Sequence, residues 1–304
     1  MGLTDSSHVG AGLLDLFGAR AAERWPVPIS FRIPQALLAH STTVLFGEQP
    51  SRDQVGRADE RLEAGARGKG DSHGYVDCMT DTVILDVDGT LVDSNYHHAL
   101  AWTRAFAHFE LFPPVWRIHR AVGMGGDKLV AHVAGAEAEQ RLGDALRDRW
   151  TQEFDRLIGE VRPFDGTRAL LEAVKNRGHH LVLASSGQQQ HVETLLRLFD
   201  GQSLADAWTT ADDADESKPA ADLLQVALSR VGGSAGLMVG DATWDAQAAQ
   251  SAGMPSVGLL TGGFSEAELL DAGAAHVFEG PAQLAQAVAD GLIERLPSQS
   301  AQDL

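Results

Sequence analysis

The chain has 304 residues, with 24 Lys and Arg against 42 Asp and Glu, a formal net charge of −18 and a single Cys. That balance excludes proteins that grip nucleic acid by replacing phosphate counterions or lie on an anionic membrane surface, because both need a basic face. One Cys excludes an intrachain disulfide framework and a Cys-rich zinc module, no apolar run approaches the roughly 18 residues of a membrane span, and a cytoplasmic setting follows as the default.

Residues 1–78 differ from the remainder. They carry 8 basic and 10 acidic residues, which leaves 16 and 32 for the rest, so the acidity belongs to the second part. Short apolar patches at Gly12–Phe17 and Ala36–Phe46 are separated by Arg, Pro and Ser, and Asp53–Ala64 has too few apolar positions to bury much. Much of this segment is expected to be poorly ordered. Met79, four residues before Val83, admits two readings: a natural start there, or a genuine N-terminal extension.

From residue 82 strand-like and helix-like runs alternate. Thr82–Leu85 is β-branched and apolar. Ala99–Glu110 places Ala99, Trp102, Phe106 and Phe109 on one helical face, and Leu129–Trp150 reads as one or two helices. Helix 167–175, strand 180–184, helix 189–199, helix 219–231, strand 237–239, helix 243–252 and strand 256–259 follow. A helix capped by Ser265 and stopped by Gly273, a strand at 276–278 and a helix at 281–290 complete the series, with 297–304 as a frayed tail. The alternation predicts an α/β fold with a parallel sheet. Residues 94–162 break it with an almost wholly helical insert directly after the first strand. The expected plan is an α/β core from 79–93 and 163–296, with 94–162 as a lid over the carboxyl ends of the strands, where open α/β sheets bind ligands.

Four strand ends carry chemistry. Asp86-Val87-Asp88-Gly89-Thr90 follows the first strand. Two carboxylates so close need a cation or a shared proton, although an Asx-rich turn is the plainer alternative. Ser185-Ser186-Gly187 follows the strand at 181–184 and precedes a helix, where hydroxyl and backbone N–H groups suit a phosphate or merely form a cap. In Ser217-Lys218-Pro219, Pro219 is placed to open a helix. Lys218 then stands at an end that disfavours a cation, so it has an anion nearby or is solvated. Gly240-Asp241 with Asp245 four residues on supplies further carboxylate oxygens for a hard cation, or a cap and a first-turn acid.

Taken in order, Asp-x-Asp-Gly-Thr, strand-end Ser, Lys-Pro and Gly-Asp-x-x-x-Asp resemble the haloacid dehalogenase-like (HAD) hydrolase superfamily over residues 82–290. The insert resembles the C1-type cap of its phosphoglycolate phosphatase and β-phosphoglucomutase branch, and Phe164-Asp165-Gly166 resembles the return from cap to core. The resemblance implies a Rossmann-like sheet with that cap, and it implies roles. Asp86 is then the nucleophile. Asp88 is the acid and base toward the leaving alcohol and the water. Ser185, with Ser186 and Gly187, holds phosphate. Lys218 neutralises charge. Asp86, Asp241 and the backbone carbonyl of Asp88 form a Mg²⁺ site, and Asp245 binds the ion through water or orients Lys218.

The family's pattern also narrows the reaction. Haloacid dehalogenases usually lack an Asp at the position of Asp88, and phosphonatases have a different residue there, so Asp88 favours alcohol phosphoesters. Gly123-Met124-Gly125-Gly126-Asp127-Lys128 departs from the Gly-x-Ser-Arg loop of phosphoglucomutase-like caps, which disfavours a mutase. The expected activity is Mg²⁺-dependent hydrolysis of a small phosphorylated metabolite through an aspartyl phosphate. A phosphomutase and a non-catalytic binder on the same fold are the alternatives. Lys128, Arg117 and Arg120 are read as cap-surface ion-pair residues before substrate contacts. His97 or His98 could touch substrate, but a helix-face His with a polar neighbour is the plainer reading. Trp116 and Trp150 are expected in the cap core. Neither a substrate nor an oligomeric state can be read from these residues.

Overall fold

The computed structural model describes residues 80–213 and 218–296, and the expectations for 1–78, Ser217 and 297–304 lie outside the described residues. The core is a six-stranded, all-parallel sheet. Its strands are β1 (Thr82–Asp86), β2 (His180–Ala184), β3 (Ala207–Thr209), β4 (Gly236–Gly240), β5 (Ser256–Leu259) and β6 (His276–Phe278), in spatial order β3-β2-β1-β4-β5-β6. β1 is central, pairing Leu85 with Leu183 on one side and Val239 on the other. All five of its residues are buried, which is why it reads as a continuous apolar run and not as an alternation.

Alternate side chains of the strands serve opposite faces. Val83, Leu85, Leu181, Leu183, Leu237 and Val239 enter one layer with α5 (Thr167–Asn176), α6 (Gln189–Arg197) and α11 (Pro281–Ala289). Ile84, Val182 and Met238 enter the other with α8 (Asp222–Val231) and α9 (Thr243–Ser251). The short helices α7 (Gly201–Leu204) and α10 (Glu266–Asp271) lie between successive strands. Ser265 caps α10 by accepting from Glu268 N, and Glu268 returns by accepting from Ser265 N at 2.9 Å. At the other end of the sheet, Asp81 clamps β1 to β4: Oδ2 accepts from Ser234 N at 2.8 Å and Oδ1 from the Thr82 hydroxyl at 2.7 Å.

Between β1 and α5 the chain builds a helical cap from α1 (Asn95–His108), α2 (Val115–Ala121), α3 (Gly126–Ala134) and α4 (Ala136–Phe154). The expected 129–150 run is two helices, parted at Gly135, whose φ of 93° suits glycine. The cap has its own apolar cluster, with Trp102, Phe106, Ile118, Leu129, Leu146 and Phe154 at its centre. Trp150 joins it, as expected. Trp116 does not: it is 67% exposed. The buried residues of α2 are Ile118 and Ala121, and Trp116 stands two positions from Ile118, about 200° around the helix and on the opposite side. The cap leaves and rejoins the core through paired chain, with Asp93 N donating to Arg162 O at 2.9 Å and Phe164 N to Leu91 O at 3.0 Å. Among the described residues, no helix is long and apolar enough to cross a membrane.

Candidate active site

The strand order reverses between β1 and β4, so the carboxyl ends of β1, β2 and β4 open on one crevice. Three of the predicted segments arrive there because they directly end or follow these strands: Asp86 ends β1, Ser185 follows β2 and Asp241 follows β4. Lys218 comes from the loop before α8. That helix begins at Asp222, so Pro219 precedes it and does not open its first turn as the sequence suggested. The peptide between Lys218 and Pro219 is cis.

Asp86, Asp241 and Asp245 place carboxylate oxygens within 4.8 Å of one another, and all three are buried. Lys218, only 1% exposed, faces them, bonded to Asp86 Oδ1 and 2.7 Å from Asp245 Oδ1. The anion required near this lysine is therefore present twice. Asp245 also accepts from Ala242 N at 3.0 Å, which fixes it at the start of α9.

Thr90 and Asn95 were not singled out in the sequence. The Thr90 hydroxyl donates to Asp241 Oδ1 at 2.8 Å and Asn95 Nδ2 to Oδ2 at 2.7 Å. Gly89 makes the turn that brings them together, at φ 77°, and a Cβ there would collide with Asn95 and Asp241. Thr90 stood in the motif, where a hydroxyl beside two acids is a hint. Asn95, at the first turn of a helix, carried no comparable signal.

One ammonium does not balance three buried carboxylates, and the acids show it. Burial pushes Asp86 well above the usual carboxyl range, Lys218 opposes the rise, and Asp245, Asp241 and Asp88 add to it. Burial and then Asp245 carry Asp241 up to about 7, against the donors from Asn95 and Thr90. Lys218 is shifted the other way: burial disfavours its charge, but Asp245 and Asp86 outweigh that and hold it protonated. A buried oxygen-only donor set with uncompensated negative charge fits a hard divalent cation such as Mg²⁺.

The Asp88 side chain lies outside this cluster. Its Oδ1 meets the Ser94 hydroxyl and His98 Nε2, both at 2.8 Å, and its Oδ2 accepts from the Ser185 hydroxyl at 2.9 Å. Burial would raise this carboxyl, but His98 and the three hydrogen bonds prevail and hold it at about 2. The polar neighbour of His98 is thus Asp88 itself, and the His98 ring stacks 4.1 Å from that of Phe154. Ser185 is fully buried and also accepts from Gly187 N at 3.0 Å, while Ser186 and Gly187 line the open cavity.

That cavity, of about 350 Å³, runs from Asp86 and Asp88 to the cap residues Trp102, Leu129 and Trp150. The Gly123–Gly126 loop forms part of its wall; Arg117, Lys128 and Arg120 do not. Arg120 instead ties cap to core, 2.5 Å from Glu268 and with its guanidinium 3.8 Å from the centre of the Phe264 ring.

The family model described as haloacid dehalogenase-like hydrolase matches residues 83–259. The chain belongs to this family. Its haloacid dehalogenase-like core and cap are similar to a phosphoglycolate phosphatase of Caulobacter vibrioides, 31% identical over 61% of this chain and 81% of that protein. They are also similar to a validoxylamine A 7'-phosphate phosphatase of Streptomyces hygroscopicus subsp. limoneus, 26% identical over 60% of this chain and 87% of the relative. Among solved structures, a hydrolase from Pseudomonas syringae superposes with a TM-score of 0.65 at 30% identity, covering 69% of this chain and 99% of its own.

Proposed function

We propose that this haloacid dehalogenase-like protein is a Mg²⁺-dependent phosphatase that hydrolyses a small phosphorylated metabolite through an aspartyl phosphate on Asp86. One observation carries the reading: a buried carboxylate cluster, with one buried lysine, at the floor of a cavity roofed by a separate cap. The names of the relatives support it.

The chain's residues divide the work. Asp86 presents a carboxylate oxygen to phosphorus at the floor of the cavity, held in place by Lys218. The Lys218 ammonium stays charged and sits where the transferring oxygens gather negative charge, which lowers the barrier electrostatically. Asp86, Asp241 and Asp245, with the backbone carbonyl of Asp88, would hold the ion, which would add to the charge neutralisation. Ser186 and Gly187 line the cavity and orient the phosphoryl oxygens, while Ser185 acts behind them by fixing Asp88 and the loop.

Asp88 gives a proton to the leaving alcohol and then takes one from the water that cleaves the aspartyl phosphate. Free of substrate it is held as the carboxylate. It accepts the proton once an anionic phosphate enters beside it and offsets the pull of His98. The aromatic roof excludes bulk water while the aspartyl phosphate exists. The reading carries with it a cytoplasmic setting and no nucleic-acid partner, the latter supported by the acidic balance of the sequence. The test is phosphate release from a panel of phosphomonoesters, with Mg²⁺ and with EDTA. Release that needs Mg²⁺ is expected, and a panel left intact under both conditions removes the proposal.

A further inference from the structure

The part of the cavity that receives the leaving group has a composition that selects for it. Trp102 and Trp150 stack on each other at 5.5 Å, and Val122, Met124, Leu129 and Leu223 supply further apolar wall. A cavity of about 350 Å³ lies within the range of pockets that hold ligands of drug-like size, roughly 300–1,000 Å³. It offers far more room than a phosphate with a two-carbon alcohol fills.

Its charge points the same way. Among the described residues that line it, Arg147 is the one Lys or Arg, and that guanidinium is already committed. Nη1 donates to Glu139 at 2.9 Å and 3.1 Å and to Gly126 O at 3.1 Å, and Nη2 donates to Asp144 at 2.8 Å. Two acids thus cancel one cation. His98 is taken up by Asp88, and Lys218 by Asp86 and Asp245. A carboxylate on the leaving group would meet apolar rings and an arginine already neutralised by two acids, and it would lose hydration there without a free cation to replace it.

We infer that the substrate is the phosphomonoester of a neutral alcohol with a planar or cyclic apolar face, and that a carboxylate-bearing ester such as 2-phosphoglycolate is a poor substrate despite the names of the relatives. This rests on the phosphatase reading above. Buried apolar contact with Trp102 and Trp150 favours the neutral ester, and desolvation penalises the acid.

The experiment uses the full chain with saturating Mg²⁺. kcat/KM is measured for benzyl phosphate, glucose 6-phosphate and 2-phosphoglycolate, and Kd by calorimetry for the non-hydrolysable benzylphosphonate and phosphonoacetate. Benzyl phosphate is expected to exceed both other esters by about tenfold or more, a margin in keeping with discrimination in apolar pockets. Benzylphosphonate is expected to bind more tightly than phosphonoacetate by a similar factor. The variant Met124→Arg, at a half-buried position in the wall loop, places a cation in the cavity and is expected to shift the ratio toward 2-phosphoglycolate by about tenfold. Hydrolysis of 2-phosphoglycolate as fast as benzyl phosphate by the unaltered chain overturns this inference and leaves the phosphatase reading intact. Hydrolysis of none of the esters overturns both. An unshifted ratio in a folded Met124→Arg protein removes the charge of the wall as the cause.

Discussion

Replacing Asp241 with Asn separates what the carboxylate cluster costs the fold from what it does for the metal. Asp241 is 3% exposed, and burial together with Asp245 raises its carboxyl from the ordinary 3.8 to about 7. A carboxyl raised on folding contributes fully below its ordinary value, and that contribution is lost as pH rises through about 7. At pH 8 without metal, holding the ionised group in the fold costs about 4 kcal/mol, shared with Asp86 because the acids titrate as a set. The amide removes that cost and weakens the bonds with Thr90 and Asn95 by about 1 kcal/mol each, because its oxygen accepts from one of them while its NH2 only donates, so the other must turn its own oxygen to accept. The net expectation is that Asp241→Asn is more stable than the parent in EDTA at pH 8 by about 2 kcal/mol, or about 4–8 °C in Tm for a core and cap of this size.

With Mg²⁺ the order reverses. The parent gains about 2.7 kcal/mol at a hundred times its Kd, whereas the variant, whose ligand oxygen is uncharged and already claimed by a donor, gains little, and its turnover falls by about a hundredfold or more. Thermal melts at pH 8 in EDTA and in Mg²⁺, with phosphate release measured in parallel, provide the assay. If the variant is the less stable protein in EDTA, and Mg²⁺ raises both melting temperatures equally, Asp241 neither bears the unmet charge nor holds the ion.

Three further outcomes are expected. Asp86→Asn lowers phosphate release by about a thousandfold or more, because an amide is a poor nucleophile, and residual release near the parental rate in a clean preparation would take Asp86 out of its role. His98→Gln removes the main partner that holds Asp88 at about 2, so Asp88 keeps its proton to higher pH, the alkaline limb of the kcat/KM profile moves to higher pH, and kcat falls about tenfold to a hundredfold because the ring no longer positions the carboxyl; an unmoved limb would show that His98 only packs on Phe154. Asp81→Asn, far from the site, loses acceptors for Ser234 and Thr82 and costs about 1 kcal/mol with no change in KM, read by denaturant melts; the native contribution of Asp81 is present above the ordinary carboxyl value of 3.8 and disappears as pH falls through about 2.

The elements most legible in the sequence are those where one physical pattern dominates. Thr82–Asp86 is apolar throughout because the strand is central, and Asp86, Asp88, Ser185 and Asp241 are conspicuous because polar residues abruptly follow such strands. The requirement that Lys218 have an anion follows from charge alone, though its partners do not. What the sequence hid depends on contacts between distant segments. β3 is three residues on the sheet edge, held by pairing with β2 and too short to show a period. Trp116 looks like core because of its size, and only the phase of α2, set by Ile118 and Ala121, turns it outward. His98 reads as an ordinary helix-face histidine until the turn at Gly89 folds α1 back over Asp88, and the same turn delivers Asn95 to Asp241. Pro219 suggested a helix start because that is a frequent place for it; here Lys218 must first reach into the core, and the helix waits until Asp222.

The narrow neck between core and cap has a practical meaning for anyone who wishes to rebuild this protein. Val92 and Pro163 pair in antiparallel fashion, and the two chain passes are joined there by main-chain bonds and by the Thr167 hydroxyl, which donates to Leu91 O at 2.7 Å. Everything between them is thus a cassette with two adjacent ends, wrapped around its own apolar centre. A foreign segment with the same spacing between its ends keeps the main-chain path into the sheet, and what it must replace is the set of ties that Arg120 makes to Glu268 and Phe264 and that Thr151 and Asp155 make to Gln188 and His191. The floor of the cavity would keep its reacting groups except for what α1 lends them through Ser94, Asn95 and His98, so a graft that preserves this first turn exchanges the selectivity of the enzyme while leaving its chemistry in place.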